Sequence, residues 1–523
     1  MKKRKIVSTL LALLLLASLP VSALAAEWDI SKGDITVNAG SGGQTVTQGS
    51  QVDVPDSAPV ITGSSTENTL TINAEKDQTA NVTLSDVNID VSSEGKAAVT
   101  TTGEGNVSIE LNGDNTLKSG KGHAGLEKKN GGKLTIADED KNGKLTAEGG
   151  KYGAGIGGGD QGAGSGITIT GGEIKATGGQ YGAGIGGGKG DGSDITISGG
   201  EVNATGGTSG AGIGGGYNGN GSDITITDGE VNATGGKYGA GIGGGEYGIG
   251  KDIIITGGEV NATGGRFSAG IGGGSRGTGS DITISGGEVN ASGGVNGAGI
   301  GGGLRSKGKD ITVSGDTKLK VQGGDEDHYD GAGAGIGDGG SRPKGSTGGS
   351  PIPGAEVGPD TSGLTTNGSI EYYAPGADME KDKPTSTTTG KPTEPGKPTE
   401  PTEPTEPGKP TEPIEPAVPE QPEAERGMDA PLYFITDRDG RAVRCRAERK
   451  GGVLTVTVDE DFAVLTSSLS GMTALRAQGI EKIIFVTNGA KTAVKLSTII
   501  SKLTANGVFR LTHDGKAVTF TLG

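Results

Sequence analysis

The sequence predicts a parallel β-helix, and three observations carry that prediction. The first is a fixed period. The phrase GAGIGGG recurs with its isoleucine at Ile156, Ile185, Ile213, Ile242, Ile271 and Ile300, and in altered form at Ile336, in steps of 29, 28, 29, 29, 29 and 36 residues. A repeat of 20–50 residues builds stacked units rather than an ordinary globular core. The second is phase. DITIS- and EVNAT-type phrases recur in step with the glycine phrase, and each has apolar residues at every second position, which is the strand period. The third is composition. Glycine accounts for 108 of 523 residues, aromatics for 3% and apolar residues for 30%. That is too little for a large conventional core but enough for a thin one stacked in register. Three period-two segments separated by glycine corners make one coil. Val231 with Ala233, Ile224 with Ile226, and Ala240 with Ile242 point inward in the coil around residue 230. The column Ile174, Val202, Val231, Val260, Val289 and Leu319 is expected to run down the interior at about 4.8 Å per step.

The elements follow in chain order. Residues 1–26 read as a secretory signal peptide: Lys2, Lys3, Arg4 and Lys5, then the apolar Leu10–Leu19, then Ala23-Leu24-Ala25 as the small-residue cleavage motif. Losing four cations takes the formal charge from -16 to -20. No other stretch is apolar and long enough to span a membrane. The mature chain is thus expected to be secreted or extracellular, with the cell surface as one destination. An acidic chain without a basic groove excludes nucleic acid as a partner. Residues 27–148 carry β-like runs at 34–38, 69–73, 81–84, 106–111, 133–136 and 144–147, read as irregular early coils of a solenoid that extends to residue 345 and is regular over 149–340. Residues 346–375 form a cap or irregular segment with a strand candidate at 369–373. Residues 376–426, with KPTEPGKPTEPTEPTEP, are a stiff polyproline-type spacer able to reach on the order of 150 Å. Residues 427–523 are a small α/β domain with strand candidates at 432–436, 453–458, 482–487, 509–512 and 518–522. Its helix candidates lie at 469–478 and 492–503. This domain has 13 basic and 9 acidic residues, which makes it a candidate for association with an anionic cell wall. The lone Cys445 forms no internal disulfide and sits on the buried side of an alternating run.

Side chains between the buried ones form outward columns. Thr168, Thr196, Thr225, Thr283 and Thr312 make a threonine row interrupted by Ile254, read as pleated-surface preference. Asp194, Asp223, Asp252, Asp281 and Asp310 precede successive ITI-type strands, and Glu173, Glu201, Glu230, Glu259 and Glu288 precede the next ones. Like charges one coil apart repel, and calcium would relieve them through its preference for carboxylate oxygens. The aspartate column is therefore the candidate calcium ladder, and calcium the one candidate cofactor. Tyr152, Tyr181, Tyr238 and Phe267 share one place in their coils, with Ser209 and Asn296 in the remaining positions. Lys151, Gln180, Lys237 and Arg266 precede the rings. Such a row can stack against sugar rings or merely cover a corner; Tyr152, Tyr181, Tyr238, Phe267, Lys151, Lys237 and Arg266 are the candidate ligand-binding residues. The glycines of GAGIGGG point outward, leaving either a flat face for another chain or closely packed corners.

One place breaks the repeat. The extra residues before Ile336 include Asp325-Glu326-Asp327-His328-Tyr329-Asp330. This run is read as a solvated loop, with a metal or acid–base cluster as the alternative. GAGIGG matches GxGxxG only superficially, since it recurs in every coil outside a βαβ unit.

With AGIGGG, ITISGG and VNATGG coils, a Pro-Thr-Glu spacer and a small C-terminal module, residues 97–340 resemble the secreted, pectate-lyase-like β-helix proteins of Gram-positive anaerobes, which are loosely described as carbohydrate-binding or adhesin-like. The resemblance implies a polysaccharide or cell-surface glycan as partner. Related β-helix enzymes cleave acidic polysaccharides with Asp, Lys or Arg sets on one sheet, and no matching set is found here. Catalysis needs one site unlike the rest, whereas a repeated face offers many alike. The expected function is therefore non-catalytic binding of carbohydrate or another surface, with a polysaccharide lyase or glycoside hydrolase as the alternative.

Overall fold

The computed structural model of the chain describes residues 26–342, 351–390, 434–436, 446–450 and most of 452–522. The signal segment, Cys445 and the spacer beyond residue 390 lie outside the described residues. The chain divides into two units at residue 392, and each is taken by itself.

The first unit is the β-solenoid. ITI-type and EVNAT-type strands lie in one 21-stranded sheet, and the glycine-phrase strands lie in a second sheet of 13 strands. Pairing is parallel and in register from coil to coil: Ile174 with Val202, Val202 with Val231, Val231 with Val260, Val260 with Val289, and Val289 with Leu319. All six are buried, as the alternation requires. The inward columns form one continuous apolar core from Trp28 to Ile370. The glycine-phrase strands are minimal, only Ile242–Gly243 in the coil around residue 240, because the chain turns sharply on both sides.

The glycine phrase does not form an open face. All seven residues of Gly239–Gly245 are buried. A Cβ on Gly241 would sit 2.7 Å from the Thr263 amide nitrogen, and one on Gly243, whose φ is +130°, would run into the carbonyl oxygen of Gly272. These glycines let neighbouring coils and corners approach closely. Of the two sequence readings, close packing holds and the flat docking face does not.

Both ends of the stack finish in antiparallel pairing. At the start, Ile35–Gly40, Gly43–Gln48 and Gln51–Pro55 form a meander. Beside it, the Trp28 indole donates to the Asp56 carboxylate at 2.9 Å. At the far end, Ser369–Tyr373 stacks parallel on Lys318–Gln322, and Ser386–Thr389 adds antiparallel to it. The strand candidate at 369–373 is thus the last rung. Residues 376–390, read as part of the spacer, instead belong to the solenoid's end. The composition shift at residue 376 misled because Ser386–Thr389 is a threonine run, which suits an edge strand. Antiparallel closure blunts edges that would otherwise template further strands.

The second unit has two four-stranded sheets. Its strands include Phe434–Thr436, Val453–Thr457, Lys482–Val486, Val508–Asp514 and Ala517–Leu522, near the expected positions, together with Arg446–Lys450 and Phe462–Ser468, which were not anticipated. The helix expected at 492–503 is corrected. Lys491–Lys495 is a strand paired antiparallel with Lys482–Val486, and of the residues after it Leu496–Ile500 are described and are helical. The cause is the Asn488-Gly489 turn, closed by Thr487 N–H to the Ala490 carbonyl at 2.9 Å. Asn-Gly favours a two-residue hairpin. Of the helix expected at 469–478, Met472, Leu475 and Arg476 are described and are helical.

Candidate functional site: an aromatic and basic edge

Two corners of each coil lie side by side and are laced by backbone hydrogen bonds. Tyr217 N–H reaches the Tyr181 carbonyl at 2.8 Å, and Ser275 N–H reaches that of Tyr238 at 2.9 Å. The first corner carries the expected row. Tyr152 and Tyr181 stack at 5.3 Å, and Tyr238 and Phe267 stack at 5.9 Å. The second corner adds rings that the sequence reading missed. Tyr217 packs edge-on against Tyr181 at 5.5 Å and against Tyr247 at 6.3 Å. The run Tyr152, Tyr181, Tyr217, Tyr247 is therefore continuous across the gap at Ser209. Tyr217 and Tyr247 follow the glycine triplet in only two coils and at different offsets, so no column in the sequence marked them.

Cations sit over these rings. Lys151 and Lys189 lie 5.3 and 5.2 Å from the Tyr152 ring, Lys237 lies 4.9 Å from Tyr238, Arg266 5.0 Å from Phe267 and Arg276 5.7 Å from Tyr247. Each such pair contributes about 0.5–1 kcal/mol at an exposed site. Lys151, Lys237, Arg266, Tyr152, Tyr181, Tyr238 and Phe267 are thus brought together on one edge, with the rings half-buried and the cations exposed.

The edge ends in a groove of about 400 Å³ formed by Tyr238, Phe267, Tyr247, Arg276, Glu246 and Arg342 together with the inserted loop. Tyr247 is 46% exposed and has a φ of +66°. Asn218, Arg276 and Arg305 take the same left-handed backbone in their coils, so the corner sets this conformation and Tyr247 bears its strain. Two acids of the inserted loop have structural partners. Asp330 takes two hydrogen bonds from Arg305, at 2.8 and 2.6 Å, and Asp327 accepts the backbone N–H groups of Tyr329 and Asp330. Asp330, through both oxygens, and Asp327, through Oδ1, hold the loop in shape.

Ser209 and Asn296, which replace rings in the column, are buried anchors. Ser209 Oγ donates to Glu246 at 2.7 Å, and Asn296 Nδ2 donates to the carbonyls of Asp330 and Gly331.

The aspartate column is elsewhere. Asp194, Asp223, Asp252, Asp281 and Asp310 all have φ between +49° and +55°, and Gly166 takes the same register position with φ +68°. The position demands left-handed backbone, which Asp tolerates better than most residues. Lys251 and Lys309 pair with Asp252 and Asp310 at 3.0 Å. Among the described residues, no group of three or more His, Cys, Asp or Glu side chains is arranged to hold a metal ion. The glutamate column is in register too, from Glu173 through Glu201, Glu230, Glu259 and Glu288, and is bracketed by Lys144 and Lys318. Beside it Asn203, Asn232, Asn261 and Asn290 form a side-chain amide ladder with bonds of 3.1, 2.9 and 2.7 Å.

One cluster was not foreseen. In the coil before the regular array, Leu126-Glu127-Lys128 stands where later coils have isoleucine and glycine. Glu127 is buried and bonded to His123 Nδ1 at 2.6 Å and to Lys129 at 2.5 Å. Lys128 donates to the Asn130 carbonyl, and burial holds its ammonium below the usual lysine range. Asn130 itself bridges Thr101 and the Gly105 carbonyl. The group fills, with satisfied polar contacts, the junction where the irregular coils meet the glycine-rich ones.

The comparisons with known proteins agree with this architecture. No curated protein and no solved structure matches the chain. No helix among the described residues is long and apolar enough to cross a membrane. Six stretches, 141–160, 167–189, 195–217, 224–246, 253–275 and 282–304, match the family described as Beta helix repeat. Each stretch ends on the glycine phrase of its coil, so the regular array of the solenoid is similar to beta-helix repeats.

Proposed function

We propose that this protein is a non-catalytic polysaccharide-binding protein that works outside the membrane and holds a glycan along the aromatic and basic edge. The observation that carries the reading is the continuous ring run from Tyr152 to Tyr247, with Lys151, Lys189 and Arg276 over its faces. Rings present apolar faces to the C–H side of sugars, and the cations and backbone groups beside them bond hydroxyls or carboxylates. On a chain of formal charge -16, this concentration of cations favours an anionic glycan. Asp330, the buried acid of the inserted loop, is bound by Arg305, and beta-helix repeats alone transfer no activity.

The second unit offers a cell-wall contact. Lys482 and Lys495 face each other directly across a strand pair and, with Arg476, line a cavity of about 390 Å³. Like charges in that position repel, and a polyanion would relieve them.

Retention on polygalacturonate and on a neutral galactan, with release of new chain ends followed in parallel, tests the reading. Retention without chain cleavage, lost when Tyr152, Tyr181 and Tyr238 are all changed to Ala, is the expected result. Chain cleavage by the intact protein would instead support the lyase or hydrolase alternative.

A further inference from the structure

We infer that the groove at the end of the edge receives the end of a glycan chain rather than its middle, an inference that rests on the binding reading above. The aromatic edge runs coil by coil from Tyr152 to Phe267. One coil beyond Asn296 the inserted loop takes the same corner, as the Asn296 N–H to Asp325 carbonyl bond of 2.8 Å records. Where other coils turn tightly, this one projects. Its shape is set internally: Arg305 clamps Asp330, Asn296 holds the carbonyls of Asp330 and Gly331, and Asp327 caps Tyr329 and Asp330. A loop fixed at so many points is a wall, not a lid.

That wall carries Tyr329, which is 60% exposed with its ring edge-on to His328 at 4.9 Å. Tyr329, Asp327 and Asp330 bound the groove on one side, while Tyr238 and Phe267 line it from the edge. At about 400 Å³ the groove lies near the low end of small-ligand pockets, with room for one or two pyranose rings. Its polar rim is mixed in sign. Arg276 and Arg342 stand with Glu246 and Asp327, and Arg305 is already neutralised by Asp330. Adjacent donors and acceptors of both kinds suit the hydroxyls of a terminal sugar, whereas the upstream edge, with its lysines over Tyr152, suits a chain lying along it. A chain following the rings toward Phe267 meets the loop and ends there.

The test compares equal masses of polygalacturonate, intact and cut to about one tenth of its length, binding to the full chain and to its Tyr329→Ala variant. Tyr329 is exposed and outside the core, so the fold is kept. Chain-end recognition makes the shortened form saturate the protein at a mass concentration about tenfold lower, as the count of ends requires, and Tyr329→Ala removes that advantage. Equal binding per mass of both forms would overturn the inference and leave the glycan reading standing. An unchanged advantage in the variant would overturn the role of the loop. Absence of binding to either form would overturn both readings together.

Discussion

Arg305 grips Asp330 with two parallel hydrogen bonds, Nε to Oδ1 at 2.8 Å and Nη2 to Oδ2 at 2.6 Å, although 25 residues separate them. Asp330 is buried, so the pair spends little of its attraction on water. The nearby acids hold the guanidinium above its usual range, first through this hydrogen bond. Asp330→Ala leaves Arg305 without its partner, at a cost of about 1–3 kcal/mol confined to the loop. Limited proteolysis is expected to cut the variant within residues 325–330 while the solenoid stays intact. Glycan retention should fall at least several-fold.

Tyr247 shows the opposite balance. Its φ of +66° places an aromatic residue in backbone that the neighbouring coils give to Asn218 and Arg276. Asn accepts that conformation more readily. Tyr247→Asn is therefore expected to raise thermal stability by about 0.5–1 kcal/mol while weakening glycan retention, a trade of stability for function. Thermal melts and affinity electrophoresis on the same variant check both halves. A stability loss would show that ring packing against Tyr217 outweighs the backbone strain.

The aspartate column shows how far the sequence could be read. Period and alternation disclosed the coils, the interior column and the row Tyr152, Tyr181, Tyr238 and Phe267, because stacking repeats whatever the strand period writes. The aspartates were equally visible, but the left-handed backbone they occupy was not. Gly166, in the same register with φ +68°, shows that conformation is what the place selects. Backbone sign is not written in a hydrophobic pattern, and neither are Tyr217 and Tyr247, which reach the edge from a second corner. His123 and Glu127 likewise lie only four residues apart, but their contact depends on a corner the pattern does not describe. At the aspartate position, Asp223→Asn should melt within about 0.5 kcal/mol of the parent, whereas Asp223→Val should lose roughly 1–3 kcal/mol from left-handed strain. Melting with calcium and then with chelator should give the same midpoint if backbone conformation alone selects Asp there; a shift on chelation would place calcium on the column.

The glycine phrase gives a sharper contrast. A methyl on Gly243 would strike the Gly272 carbonyl in backbone of φ +130°, whereas one on Gly42 would meet nothing within 4 Å. Gly243→Ala combines left-handed strain with overpacking, each about 1–3 kcal/mol. Gly42→Ala should leave the melting midpoint within about 0.5 kcal/mol of the parent. Parallel thermal melts of the two variants distinguish glycine required by packing from glycine that is merely frequent.

His513 makes the second unit sensitive to acid. Its ring is buried against Phe485 at 4.6 Å, with Thr487 Oγ1 3.1 Å from Nδ1 and Thr492 Oγ1 2.9 Å from Nε2. Burial holds its pKa below the ordinary value of 6.5. The folded ring therefore stays neutral at a pH where the unfolded one takes up a proton. Above about pH 6.5 neither state gains that proton, and the full stability is present. As pH falls through 6.5 toward the lower folded value, the unfolded state is favoured, and the unit loses up to about 1.4 kcal/mol per pH unit. Replacing His513 with Gln forfeits the contact with Phe485 and lowers stability throughout. It also removes the imidazole, so the variant's loss between pH 7.5 and 5.5 should be shallower than the parent's. Denaturant melts of the full chain, followed by a probe in the second unit at several pH values, give the two slopes. Equal slopes would mean that the buried ring is not the group that titrates.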